Sequence, residues 1–162
     1  MHDAITIERL DTDSPHVPIV ARWTFETWGQ QLHPGRTFAE AVEETRLECG
    51  ERGVPSLFVA LANGVAVGTA SLIAEDISSR PELAPWLASV FVLPQWRGRG
   101  IASRLVQRVE QEAFENGIKR FYLYTPDQQA LYRRLGWQDL EQLTYGGETV
   151  TIMSRQLTAE RD

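Results

Sequence analysis

Apolar and polar residues alternate from Ala4 to Arg9 and predict a first strand, ended by the turn-forming run Asp11-Thr12-Asp13-Ser14-Pro15. Ile19, Val20, Trp23 and Thr27 then recur at helical spacing, and Gly29 is placed to stop that helix. Thr37 and Glu40, three apart, predict a reciprocal capping box that starts a second helix running to about Gly50 or Gly53. Between the two helices, Gln30 to Arg36 is a polar loop rich in groups able to contact a ligand.

Ser56–Ala62 and Val65–Ala74 read as strands joined by Asn63-Gly64, a pair that tolerates the positive φ of a tight hairpin. Ile77 to Pro85 carries Ser78, Ser79, Pro81 and Pro85 and reads as a connection. Trp86 to Leu93 is nearly all apolar, which predicts a central strand buried on both faces, ended at Pro94. Ile101, Ala102, Leu105, Val106, Val109 and Ala113 form one wide helical stripe, with Asn116-Gly117 as its stop.

Arg120 to Thr125 alternates as a strand, so strand, helix and strand here imply a parallel pair with a crossover helix. Asp127 is placed to cap a short helix ending at Gly136. Trp137–Tyr145 and Glu148–Leu157 flank Gly146-Gly147 as a closing hairpin, followed by a charged tail. With no repeat and no Pro/Gly/Ser-rich linker, residues 1–162 are expected to form a single domain, a mixed α/β sheet with flanking helices.

Composition narrows the function. The chain is 43% hydrophobic and 23% charged, which sets disorder and fibrous classes aside. A net charge of -6 disfavours nucleic acid and anionic membrane surfaces as partners. Cys49 is the only cysteine, so an intrachain disulfide and a cysteine-built zinc site are both excluded, and no metal is expected. No apolar run reaches the roughly 20 residues of a membrane span, and Met1-His2-Asp3-Ala4 lacks a secretory pattern, so a cytoplasmic protein is expected.

The candidate chemistry lies in Gln95-Trp96-Arg97-Gly98-Arg99-Gly100-Ile101-Ala102, between a buried strand and an amphipathic helix. Unpaired amides at a helix N-terminus carry partial positive charge, and Gly98 and Gly100 remove the Cβ atoms that would hold a phosphate away. Arg97 and Arg99 add planar donors suited to a pyrophosphate. A Walker loop is excluded, because it needs Gly-Lys followed by Ser or Thr. A dinucleotide fold wants Gly or Ala where Ser103 stands, in the first strand-helix unit, and is the weaker alternative.

Gln95 to Ala102 resembles the Gln/Arg-x-x-Gly-x-Gly/Ala phosphate motif of the GNAT family of N-acetyltransferases, at its position after the fourth strand. Leu131-Tyr132-Arg133-Arg134-Leu135-Gly136-Trp137 is similar to the family's second hallmark. The resemblance implies the GNAT acyl-CoA N-acyltransferase fold, a mixed, mostly antiparallel sheet splayed between strands 4 and 5. It implies acetyl-CoA as donor, an acetyl group passing by direct attack to a primary amine, and Tyr132 as the acid protonating the leaving thiolate. It also implies coenzyme contacts at Phe91, Val92, Gln95, Arg97, Gly98, Arg99, Gly100, Ile101, Ala102 and Asp127.

Such chemistry needs a deprotonated amine, a stabilised oxyanion and a protonated leaving group. The base is open among Glu75, Asp76, Glu26, His33 and Glu82, with Glu75 at the end of the third strand chosen here. Trp28 and Trp86, which border predicted loops, and His33, which lies in one, are candidates for the acceptor wall. The acceptor is read as a small-molecule or peptide amine, and the assembly as a monomer or homodimer. A non-catalytic acyl-CoA sensor is the competing class.

Overall fold

The computed structural model describes residues 4–157, and the expected N-terminal start and the charged tail after Leu157 lie outside them. Seven strands form one sheet in the order β1-β2-β3-β4-β5-β7-β6. β1 is Ile5–Arg9, β2 Ser56–Ala62, β3 Val65–Ile73, β4 Trp86–Val92, β5 Arg120–Thr125, β6 Gln138–Tyr145 and β7 Glu148–Gln156. All neighbours are antiparallel except β4 and β5, which run parallel and join at one register pair, Trp86 with Tyr122. The sheet is therefore mixed, and the doubly wound parallel sheet that a dinucleotide fold requires is absent.

Every residue of β2 is buried because both its faces are covered. Phe58, Ala60 and Ala62 meet Leu105, Val106, Val109 and Ala113 of α4 (Ile101–Glu115), whereas Leu57, Val59 and Leu61 pack against Val17 and Val20 of α1 (Val17–Thr24). Leu105 is wholly buried, and truncating such a residue to Ala costs about 2–5 kcal/mol. The strands buried on both faces are thus β2 and the Ala66–Leu72 stretch of β3, not β4. In β4 the middle, Ser89–Phe91, is only half-buried, because β5 diverges there and no helix covers the gap.

The capping box forms as expected: Thr37 Oγ1 accepts from the Glu40 amide at 3.1 Å, and Glu40 Oε1 accepts from the Thr37 amide at 2.9 Å. The resulting α3 is Phe38–Leu47, ending before the expected glycines. The first helix does not stop at Gly29. It widens into a π-helical turn at Phe25–Gly29 and continues as α2, Gln30–Leu32. α5 spans Gln129–Arg134, and its start is not capped by Asp127: the Thr125 hydroxyl instead accepts the amides of Asp127 (3.3 Å) and Gln128 (3.0 Å).

On the same sheet face as α1 and α3, beyond the part they cover, the 77–85 connection folds back. Ile77 is buried with Trp86 and Ile152, and Arg80 pairs with Glu141 of β6. At the far end of α4, buried Glu112 pairs with Arg9 at 2.7 Å and Arg108 at 3.2 Å and accepts the Gly53 amide at 2.7 Å. The two arginines also stack on Phe58, at 5.1 and 4.4 Å from its ring centre.

Candidate active site

The turn between β4 and α4 is built as its sequence predicts. Gly98 and Gly100 both take positive φ (77° and 79°), and Gly100 is the N-cap of α4 with no side chain capping the helix. A Cβ built on either glycine would meet nothing within 4 Å, so the space beside these unpaired amides is open to a ligand. Ile101 is buried and anchors the first turn in the core. The arginines do less for the open space than expected: Arg97 Nε donates to the Val92 carbonyl at 2.9 Å, and Arg99 stacks on Trp96 at 4.6 Å. Gln95 lies in the single 3-10 turn Pro94–Trp96.

β4 reaches this turn through a bulge. Thr69 faces Phe91 and Ser71 faces Ala88, so Ser89 and Val90 together oppose Ala70. Ser89 sits at φ 56°, uncommon for a residue with a Cβ, and the Ser71 hydroxyl donates to the Ala88 carbonyl at 3.1 Å. Gly68 lets β3 approach this stretch, since a Cβ there would lie 3.0 Å from the Phe91 carbonyl oxygen. The bulge turns β4 away from β5 and bares its backbone.

The gap opens into a cavity of about 570 Å³. Ser89 and Val90 line it from β4, Tyr124 and Asp127 from β5 and the turn after it, and Trp28 and His33 from the π-turn and the loop beyond. Tyr132 also faces the cavity, its ring edge-on to Trp137 at 6.1 Å and only 6% exposed. Its hydroxyl makes no hydrogen bond to any described residue, and burial, aided by Asp127, pushes its pKa up to about 12. The phenol therefore stays protonated and free to donate.

Carboxylates dominate the walls: Glu44, Glu48, Glu75, Asp76, Asp127 and Glu148, against a single arginine, Arg36, which pairs with Glu44. Burial raises both Glu48 and Asp76 to about 7, with the charge of Glu44 adding to the first and that of Glu48 to the second. Glu75 is exposed. Tyr145 from β6 donates its hydroxyl to the Asp76 carbonyl at 3.1 Å.

Trp28, His33, Glu75, Asp127 and Tyr132 thus share one cavity, and the glycine turn with Phe91 and Val92 adjoins it without lining it. Phe91 connects the two regions, its ring 5.3 Å from Trp23 and 6.4 Å from Trp28. Trp86 is a correction. It is wholly buried, donates its indole N–H to the Leu83 carbonyl at 2.7 Å, and forms no part of the wall, because its strand begins at the closed end of the splay.

Glu48 was findable in the sequence, since Ala41, Thr45 and Glu48 fall on one helical face and the first two are buried. The Ser89 bulge left no such signal. No helix among the described residues is long and apolar enough to cross a membrane.

The sequence profile of the Acetyltransferase (GNAT) family matches residues 19–137, which takes in the splayed strands, the glycine turn and Tyr132. The chain belongs to this family. The aminoglycoside N(6')-acetyltransferase type 1 of Salmonella typhimurium is 30% identical over 95 residues, 54% of this chain and 66% of that protein. Mouse thialysine N-epsilon-acetyltransferase is 36% identical over 59 residues, covering 34% of this GNAT chain and 35% of the relative. This chain therefore spans under two thirds of the length of these curated relatives. A Salmonella typhimurium structure described with its cofactor acetyl-CoA has the same fold, with a TM-score of 0.69 and 20% identity over 98% of this chain and 97% of that one.

Proposed function

We propose that this GNAT protein transfers the acetyl group of acetyl-CoA to a primary amine of an acceptor that carries more than one positive charge. The observation that carries the reading is the junction of an open glycine turn with a cavity that holds an unpartnered tyrosine hydroxyl among six carboxylates. The turn residues fit a pyrophosphate: positive-φ glycines with open space beside them, at a helix start that nothing caps. The edge of β4 that β5 leaves open suits an extended pantetheine arm, with Phe91 and Val92 as the residues expected to meet it. Bound acetyl-CoA supplies the thioester.

The protein's own part is to orient and to move protons. Tyr132 donates from its phenol towards the departing sulfur, and its raised pKa keeps that proton in place at neutral pH. An amide at the β4 bulge serves as donor to the acyl oxygen as charge gathers there. Carboxylates around the acceptor draw in and hold ammonium groups, while Trp28 supplies an apolar surface. The aminoglycoside and lysine-analogue activities named for the relatives are consistent with such an acceptor.

A panel of kanamycin, thialysine, spermidine and a singly charged alkylamine, each with acetyl-CoA, tests the reading by thiol release and product mass. Acetylation of the multiply charged amines at higher kcat/KM than the single one is expected. Thiol release with none of them would overturn the transfer reading, and a preference for the single charge would overturn the acceptor class.

A further inference from the structure

Two carboxylates reach the cavity from different elements and have no partner. Glu48 stands at the C-terminal cap of α3, and Asp76 follows the end of β3. Both are largely enclosed, and neither carboxylate accepts a hydrogen bond or joins an ion pair with any described residue. Like charges enclosed this far, with Arg36 alone among the described residues opposing Glu48 and no ion pair to either, favour a proton or a cation close by. Asp76 is also the fixed member of its neighbourhood: Tyr145 holds its carbonyl at 3.1 Å, and the next residue, Ile77, is 1% exposed in the core. Glu75, one position earlier, is exposed.

Resting on the acetyl-transfer reading, we infer that Asp76 takes the proton from the acceptor's ammonium, and that Glu48 is a positioning residue whose charge sets Asp76 for that task. The protons balance. The ammonium N–H bond breaks towards an Asp76 oxygen, and the freed lone pair forms the bond to the acyl carbon while the carbon–sulfur bond breaks. The sulfur takes the Tyr132 proton, the new amide nitrogen gives up its second proton to restore Tyr132, and Asp76 releases its own to water.

The surrounding charges favour this pair over the other acids. Burial first, then Glu48, raises Asp76 to about 7, where a carboxylate accepts a proton near neutral pH. Tyr124 from β5 and Tyr145 from β6 face Asp76 as neutral phenols, both pushed upward by burial and by Asp76. Glu148 from β7, Glu75 and Asp127 add negative charge to the same space. On the α3 side Glu44 raises Glu48 and Arg36 opposes it, and His33 completes that wall.

The test pairs kinetics with carboxyl-carbon NMR titration of the full chain, using Asp76→Asn and Glu48→Gln with spermidine and kanamycin as acceptors. In the wild type Asp76 should titrate at about 7 and move to lower pH in Glu48→Gln, a readout that needs no turnover. Asp76→Asn should lower kcat about 100-fold with acetyl-CoA affinity unchanged. Glu48→Gln should shift the acid limb of kcat to lower pH, whatever it does to the KM for the acceptor. Titration of Asp76 in the ordinary carboxylate range near ~4, or a limb unmoved by Glu48→Gln, would overturn the inference. Thiol release by the wild type alone decides the transfer reading separately.

Discussion

Trp86 and Tyr122 form the single register pair that ties β4 to β5, with their rings 5.8 Å apart, and beyond that tie the two strands separate into the cavity. The indole is wholly buried, so its role is to hold the closed end of the splay. Trp86→Ala should cost about 3–5 kcal/mol in urea unfolding. Trp86→Phe should lower the Tm while leaving the ranking of acceptors unchanged in the amine panel. A changed ranking at unchanged Tm would place Trp86 in the acceptor wall after all.

Tyr132 carries the acid role in the proposed chemistry, and its hydroxyl is the feature the fold leaves free. Removing it in Tyr132→Phe keeps the ring against Trp137. Turnover should fall about 100-fold, with acetyl-CoA affinity by isothermal titration within about twofold of the wild type. Equal turnover would remove Tyr132 from the reaction.

At Gly100 the backbone needs φ 79°, and an added methyl would stand in the open space where a ligand is expected. Gly100→Ala should therefore weaken acetyl-CoA binding by more than the roughly 1 kcal/mol of backbone strain shows in unfolding. Titration and urea melts on the same sample compare the two effects directly.

The raised carboxylates link stability to pH. A group whose folded pKa lies above its unfolded value favours the fold most below the unfolded value, and that contribution is lost as pH rises through the folded one. For Glu48 and Asp76 the window runs from the ordinary carboxylate range up to about 7. Glu48→Gln should accordingly raise the Tm at about pH 8 and change it little at about pH 5. A multiply charged amine should stabilise the wild type more than the variant at the higher pH.

Glu112 has the opposite sign. Burial acts to raise it, but the Gly53 amide and the Arg9 guanidinium outweigh burial and hold it below its usual range. Its contribution is present above the unfolded pKa and is lost as pH falls. Glu112→Gln should cost roughly 1–3 kcal/mol at neutral pH, the ends of both arginines keeping some contact with water. The difference should shrink in acid.

Much of the fold was legible because its signals are local. The Thr37–Glu40 box, the Asn63-Gly64 turn and the α4 stripe each specify an element within a few residues, and all form where expected. The glycine turn was legible for the same reason: positive φ and an uncapped helix start are properties of a short segment. What the sequence hid depends on registers and long-range packing. The bulge at Ser89 arises from how β3 and β4 align, and Trp86 is buried because the 77–85 connection and β7 close over it. Asp127 does not cap α5 because the helix begins one residue later, with Gln128 at its N-cap and no side chain capping it, while the Thr125 hydroxyl ties the turn before it. Glu48 and Asp76, far apart in sequence, share a cavity only once α1 and α3 are laid against the sheet beside the end of β3.

The most direct test of the central claim is thiol release from acetyl-CoA by the purified chain, with and without a multiply charged primary amine, with product mass read in the same reaction. Amine-dependent release with one acetyl group on the product amine is the result expected. Saturable binding of acetyl-CoA with no amine-dependent release, across the whole panel and pH range, would contradict acetyl transfer.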